Sequence, residues 1–286
     1  MKLIRFGEKN NEKPGIILNG SRFDVSSYFE DFNANFFNNN GLTKLKEIIQ
    51  KKSTNLKEVD KNSRWASCVP KPSKVICVAL NYVDHVKEMG RELLDEPTIF
   101  FKSPSSVCGP YDPIIIPKTS QKTDYEAELA VLIGKESNYL SSPEEALGVI
   151  AGYMAAIDVS ERAFQIERGG LWCKGKSADS FCPLGPWLLT SDEMPINYNL
   201  NVRLSVNKEV RQNDNTDLMI RRPEVLVHYI SQFMTLEVGD VILTGTPKGV
   251  GKGMNPECYL KEGDEVIFEI DLLGQQIKNC IRFENL

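Results

Sequence analysis

The segment Asp124-Tyr-Glu-Ala-Glu-Leu-Ala-Val-Leu-Ile-Gly134 places two glutamates at strand spacing. Side chains alternate faces along a strand. Tyr125, Ala127, Leu129, Val131 and Ile133 therefore form an apolar face, and Asp124, Glu126, Glu128, Ala130 and Leu132 form the other. Two neighbouring carboxylates in a semi-buried position repel and lose hydration unless a cation or a proton intervenes. A hard divalent cation resolves the conflict, because Mg²⁺, Mn²⁺ and Ca²⁺ prefer oxygen ligands. An amphipathic strand with its acidic face in water accounts for the same pattern, and for a strand standing alone that is the commoner outcome. A third carboxylate argues against isolation. The run Ala151–Ile157 is apolar and ends on Asp158, after which the chain is expected to enter a helix over 160–168. On it Asp158, Arg162 and Gln165, at i, i+4 and i+7, share a face. Helix capping explains Ser160 but leaves that shared face unexplained. His85 and Glu88, at i and i+3, share a face of a helix expected over 84–94. A carboxylate beside imidazole fixes its tautomer and raises its basicity, as a water-activating base requires. A solvated surface helix is the equally consistent alternative.

The elements that must position these groups read as strand-rich. Residues 2–6 alternate like a strand, and Asn19-Gly20 between two short apolar runs is a hairpin signal. Leu42, Leu45, Ile48 and Ile49 repeat at helical spacing. The polar stretch Lys51 to Ser63 reads as a linker, which sets a small N-terminal α/β domain at 1–70 and a larger domain at 71–286. Beyond Pro70 and Pro72, strands are expected at Lys74–Tyr82, 126–133, 148–158, 184–190, 199–206, 240–244, 264–272 and 276–283, with a further helix over 223–234. Many strands, few helices and no regular βαβ alternation argue against a Rossmann sheet or a (β/α)₈ barrel. An α+β fold built on a mixed β-roll fits.

Bulk properties narrow the function. The chain has 286 residues, a formal net charge of −5 and no long Lys/Arg run, which argues against nucleic acid and anionic membranes. It lacks an apolar run of membrane-spanning length and a signal-peptide core, so a cytoplasmic location is expected. Seven scattered cysteines form no CxxC pair, and only two histidines exist, so a metal must be held by oxygen ligands. GTPKGVGKG does not satisfy the phosphate-loop pattern. His228, in a helical apolar run, reads as a packing or surface residue.

Six ordered motifs resemble the fumarylacetoacetate hydrolase family across about residues 74 to 283. They are ALNYVDHVKE (79–88), DYEAELAVLIG (124–134), AIDVSERAFQ (156–165), KGKSADSFCPLGPWL (174–188), VNKEVRQ (206–212) and GDVILTGTPKGVG (239–251). The resemblance implies a β-roll catalytic domain, a small N-terminal domain and a homodimer. It implies a metal triad of Glu126, Glu128 and Asp158 holding Mg²⁺, with Mn²⁺ or Ca²⁺ as alternatives. Such an ion would chelate a 2-oxo acid and, as a Lewis acid, steady the enolate formed on bond cleavage. The resemblance further implies a mobile lid bearing His85 and Glu88, a lysine at Lys176 beside the metal, and Thr246 as a substrate-carboxylate position. Gln165 and Arg162 would face the substrate. Lys174 reads as a surface lysine. Two positions depart from the family pattern. Leu80 stands where members acting on acylpyruvates or oxaloacetate often carry arginine, which removes one carboxylate clamp. Residues Asp217 to Arg222 replace a usually polar stretch. The GGLWCKGKS stretch is close to members acting on ureidoglycolate or on 2,4-dioxo-3-deoxy sugar acids. The expected activity is metal-dependent hydrolysis of a carbon–carbon bond in a small 2,4-dioxo acid, with lyase, decarboxylase and hydratase or isomerase chemistry as alternatives. A non-catalytic metal- or ligand-binding relative is the competing class.

Overall fold

A computed structural model describes residues 1–52 and 55–285. Among these the fold is α+β and rich in strands. The main sheet has ten strands in the order Lys57–Glu58, Ser21–Asp24, Lys13–Leu18, Lys2–Phe6, Leu188–Thr190, Ile150–Ile157, Ala127–Ile133, Val241–Leu243, Val75–Ala79 and Thr98–Lys102. It is mixed: Val241–Leu243 runs parallel to Val75–Ala79, whereas Ala127–Ile133 is antiparallel to both its neighbours. A second sheet joins Glu209–Asn215, Asn201–Val206, Glu265–Ile270, Gly274–Arg282 and Ile114–Ile116.

The strand Ala127–Ile133 is buried along its whole length and separates two cores. Its odd-numbered residues pack with Phe268, Leu226 and Val202, and Ala130 and Leu132 pack with Leu3, Val75 and Met154. The strict alternation of the sequence is what lets one strand serve both faces.

The first residues behave as the hairpin signal requires. Asn19 and Gly20 both have positive φ, which a tight two-residue connection demands, and the register pairs Leu18 with Ser21. Lys2–Phe6 then hydrogen-bonds Leu188–Thr190, so this N-terminal segment extends the same sheet as Ile150–Ile157 and Ala127–Ile133. The polar stretch expected as a linker is tied down instead. Ser53 and Thr54 lie outside the described residues, but Lys57–Glu58 pairs with Phe23 and Asp24, and Arg22 donates to the carbonyls of Asp60, Lys61 and Ser63.

Two helix expectations are corrected. The helix expected over 84–94 covers Val83–Glu88 alone. Gly90, at φ +59°, closes it, with the Arg91 amide donating to Val86 O and the Gly90 amide to Lys87 O. The segment 160–168 is no α-helix. Ser160–Glu161 pairs with Thr123–Asp124, and Ala163–Glu167 is a single π-helical turn. The helix expected over 223–234 is Pro223–Ser231.

Candidate active site

Glu126 and Glu128 project from the start of the central strand, and Asp158 follows the end of its neighbour Ile150–Ile157. The Asp158 amide donates to Glu126 O at 2.9 Å, which brings the two strands' carboxylates to one side of the sheet. Each of Glu126, Glu128 and Asp158 offers a ligand oxygen within 4.8 Å of the others, and all three are buried.

The charges around this triad are unevenly compensated. Glu126 accepts from Arg162 at 2.7 Å on one oxygen and from Lys176 at 2.5 Å on the other. Asp158 accepts from Lys176 at 2.6 Å and, on its second oxygen, from the fully buried Lys102. Glu128 accepts the Gly245 amide at 2.7 Å. Among the described residues the ion pairs reach Glu126 and Asp158 but not Glu128. The titration directions follow. Burial works to raise Glu126, but Arg162 and Lys176 outweigh it and hold that carboxylate well below the usual range. Burial, then the charges of Asp158 and Glu126, push Glu128 well above it. Burial works against the Lys176 ammonium, yet Asp158 and Glu126 keep its pKa raised. A site of three carboxylates, one of them without a cation, fits a hard divalent ion, whose charge compensates Glu128 and whose preferred ligands are oxygens.

His85 lies above this triad, buried on the helix Val83–Glu88, with Nδ1 2.9 Å from Glu88 Oε2. Glu88 Oε1 accepts the Gly249 amide at 2.8 Å, which fastens the helix to the loop that follows Val241–Leu243. Gly253 makes that contact sterically feasible: a Cβ there would come within 2.3 Å of the Glu88 carboxyl carbon. Lys176 is placed by the short helix Cys173–Lys176, which approaches the π-turn because Gly175 has no side chain. A Cβ at Gly175 would meet Gln165 Cβ at 2.6 Å and Glu161 O at 2.5 Å.

His85, Gln165, Arg162, Lys176 and Thr246 all line one cavity of about 50 Å³ with the three carboxylates. Glu88 stands behind His85. One expected placement changes. Asp158 belongs to a strand end, so it shares no helix face with Arg162 and Gln165; the latter two do meet, at 3.2 Å. Arg162, which lines the cavity, also pairs with Asp124 at 2.8 Å and Glu126 at 2.7 Å. The Thr246 hydroxyl donates to Ala127 O and accepts from Gln212, so it braces the loop. Lys174 bonds the Arg168 carbonyl at the surface, as expected.

Sequence reasoning missed Lys102, Asp124 and Gln212. Lys102 closes the apolar run Thr98-Ile-Phe-Phe-Lys102, and its position at the end of a hydrophobic strand was the available signal. Asp124 joins Arg162 to the amides of Gly251 and Lys252. Gln212 bonds the Ala127 amide, Thr246 and Pro247 O.

Residues 74–282 match the fumarylacetoacetate (FAA) hydrolase C-terminal family. The chain belongs to that family. A relative from Burkholderia ambifaria, named only as a hydrolase, is 45% identical over 98% of both chains. The structure is similar to a fumarylacetoacetate hydrolase from Exiguobacterium antarcticum, with a TM-score of 0.83, 35% identity and 99% of both chains covered. It is also similar to maleylpyruvate hydrolase from Sphingobium sp. SYK-6 in complex with manganese(II) and pyruvate, with a TM-score of 0.82, 26% identity and 99% of both chains covered. No helix among the described residues is long and apolar enough to cross a membrane.

Proposed function

We propose that this chain is a Mg²⁺-dependent hydrolase that cleaves a carbon–carbon bond in a small 2,4-dioxo acid, with a 2,4-dioxo-3-deoxy sugar acid as first candidate. The observation that carries the reading is the convergence of the Glu126–Glu128–Asp158 triad and the Glu88-backed His85 on one buried cavity. The manganese and pyruvate held by the Sphingobium relative support the same reading.

Glu126, Glu128 and Asp158 would hold the ion, which when bound supplies Lewis-acid charge for a 2-oxo acid. With Nδ1 of His85 engaged by Glu88, Nε2 is the nitrogen that takes a proton from water. The hydroxide adds to the C4 carbonyl carbon, and the N–H donors of Lys176 and Gln165 face the oxygen that becomes negative. The C3–C4 bond then breaks with its electron pair left on C3. C4 departs as a carboxylic acid, and the proton held by His85 is delivered to C3, giving a 2-oxo acid. Glu88 keeps the imidazole in one tautomer through the cycle. The family also supports a homodimer, which sedimentation velocity would test.

The test is an assay of purified protein on 2,4-dioxo-3-deoxy sugar acids, acylpyruvates, oxaloacetate and ureidoglycolate, with and without EDTA. Cleavage of a 2,4-dioxo acid is expected to vanish with EDTA. With His85→Ala, kcat is expected to fall by roughly 10²–10⁴-fold. Activity that survives both treatments refutes the reading.

A further inference from the structure

We infer that a second cavity, lined by Tyr125 and Arg211 and separate from the triad, binds a small oxyanion, the carboxylate or phosphate group of a ligand. The cavity measures about 160 Å³ and shares no lining residue with the one that holds Glu126, Glu128 and Asp158. Successive side chains of an extended segment face opposite ways, so Glu126 lines the triad cavity while Tyr125, one residue earlier, lines this one. Tyr259 completes the wall, and Lys261 and Asn207 stand exposed at the rim.

Two donors of this cavity converge on a poor acceptor. Tyr125 is 1% exposed, and its hydroxyl lies 4.0 Å from Met254 Sδ. Arg211, whose side chain is 12% exposed, donates from Nη1 to the same sulfur at 3.3 Å. A thioether accepts weakly, and a buried donor that finds no good acceptor is costly. Arg211 Nη2 lies 3.0 Å from Glu209, but that carboxylate is 67% exposed, which makes the pair a weak one. An oxyanion set between Tyr125 and Arg211 would accept from both in charge-assisted bonds. The charges of the lining agree, for Arg211 and Lys261 are two cations against one anion, Asp264. The Asp264 oxygens are already engaged, by the Asn207 side-chain amide at 2.8 Å and the Lys261 backbone amide at 2.7 Å. Met254 directly follows the turn Gly251–Gly253, part of the loop whose Gly249 amide holds Glu88. An occupant of this cavity would therefore rest against the loop that fastens the His85 helix.

The probes are sodium acetate and sodium phosphate, titrated calorimetrically into Mg²⁺-loaded protein at constant ionic strength. At least one is expected to bind, and the tighter of the two names the group the site takes. Tyr125→Phe removes the hydroxyl alone and should weaken that binding by roughly tenfold, and Arg211→Gln should weaken it further. Should Arg211→Gln fail to fold by circular dichroism, Tyr125→Phe decides the matter. Binding of neither probe, or binding that Tyr125→Phe leaves unchanged, overturns the inference. Binding that both variants leave unchanged and Lys176→Met removes places the ion in the triad cavity and overturns it equally. The hydrolase reading concerns the other cavity and stands or falls by its own assay.

Discussion

Glu126 and Asp158 each meet two cationic side chains, whereas Glu128 meets a backbone amide, so the triad holds one carboxylate whose buried charge is uncompensated by a neighbour. Removing that charge should relieve the metal-free protein. In EDTA, Glu128→Gln is expected to be more stable than the parent by about 1 kcal/mol or more in urea denaturation. In Mn²⁺ titrations the same variant should lose most of its metal affinity. A variant that is destabilised in EDTA, or that binds Mn²⁺ as the parent does, contradicts this account of the site. The residue scale also shows what could be read in advance. Glu126 and Glu128 were legible because a period of two puts them on one face, and that needs no tertiary information. For Lys102 the end of a hydrophobic strand was the available signal, but its pairing was not legible, because lysine is rarely buried without a partner and its partner Asp158 lies 56 positions away. The Arg162 contacts were hidden for the same reason: Asp124 and Glu126 are distant in sequence and adjacent only across strands.

At the scale of elements, the helix Val83–Glu88 and the loop 245–253 form one unit through Glu88 and Gly249. Gly253 lies against the Glu88 carboxyl, so a methyl group there must displace a flexible side chain rather than backbone. Gly253→Ala should therefore change folding stability by no more than about 0.5 kcal/mol. It should nevertheless lower kcat by roughly tenfold or more, because the His85 ring loses its tautomer partner. Metal affinity, set by the triad, should be unchanged, and a variant that loses metal instead would show that the loop acts on the triad. The helical reading of 158–165 failed here for a definable reason. The i, i+4, i+7 spacing of Asp158, Arg162 and Gln165 is compatible with a helix. However, the Arg162 amide is taken by Lys122 O and the Ser160–Glu161 pair by Thr123–Asp124, so the chain stays extended until Ala163. Cross-strand hydrogen bonds outcompeted the local pattern. The helix bearing His85 and Glu88 was placed correctly at its start and overrun at its end, where Gly90 adopts the left-handed cap conformation.

For the whole molecule, the long connections decide how the N-terminal segment and the strands Ile150–Ile157 and Ala127–Ile133 hold together. Arg64 makes a forked pair with Asp112, Nε to Oδ1 at 2.8 Å and Nη2 to Oδ2 at 2.5 Å, and the Gly109 amide adds a third donor to the same carboxylate. This clamp links the end of the N-terminal segment to the turn before Ile114–Ile116, whose own carbonyls at Gly109 and Asp112 accept the buried Lys278 ammonium. Composition and periodicity announced a strand-rich fold, yet they could not show that Lys2–Phe6 pairs with Leu188–Thr190, because that pairing spans most of the chain. Burial works to raise the Asp112 carboxyl, but Arg64 and the Gly109 amide outweigh it and hold the pKa below the ordinary 3.8. A carboxylate depressed in the folded state adds stability above its unfolded pKa, and that contribution disappears as pH falls through the lower, folded value. Both partners are part-exposed, which limits the effect to about 1 kcal/mol. Asp112→Asn should thus lower the urea midpoint at pH 7, and the gap from the parent should close as the pH is taken below about 4. A gap that persists unchanged at pH 3 would mean that the Asp112 side chain matters through packing and neutral hydrogen bonds, and that charge at this clamp does not help join the N-terminal segment to the sheet of the active site.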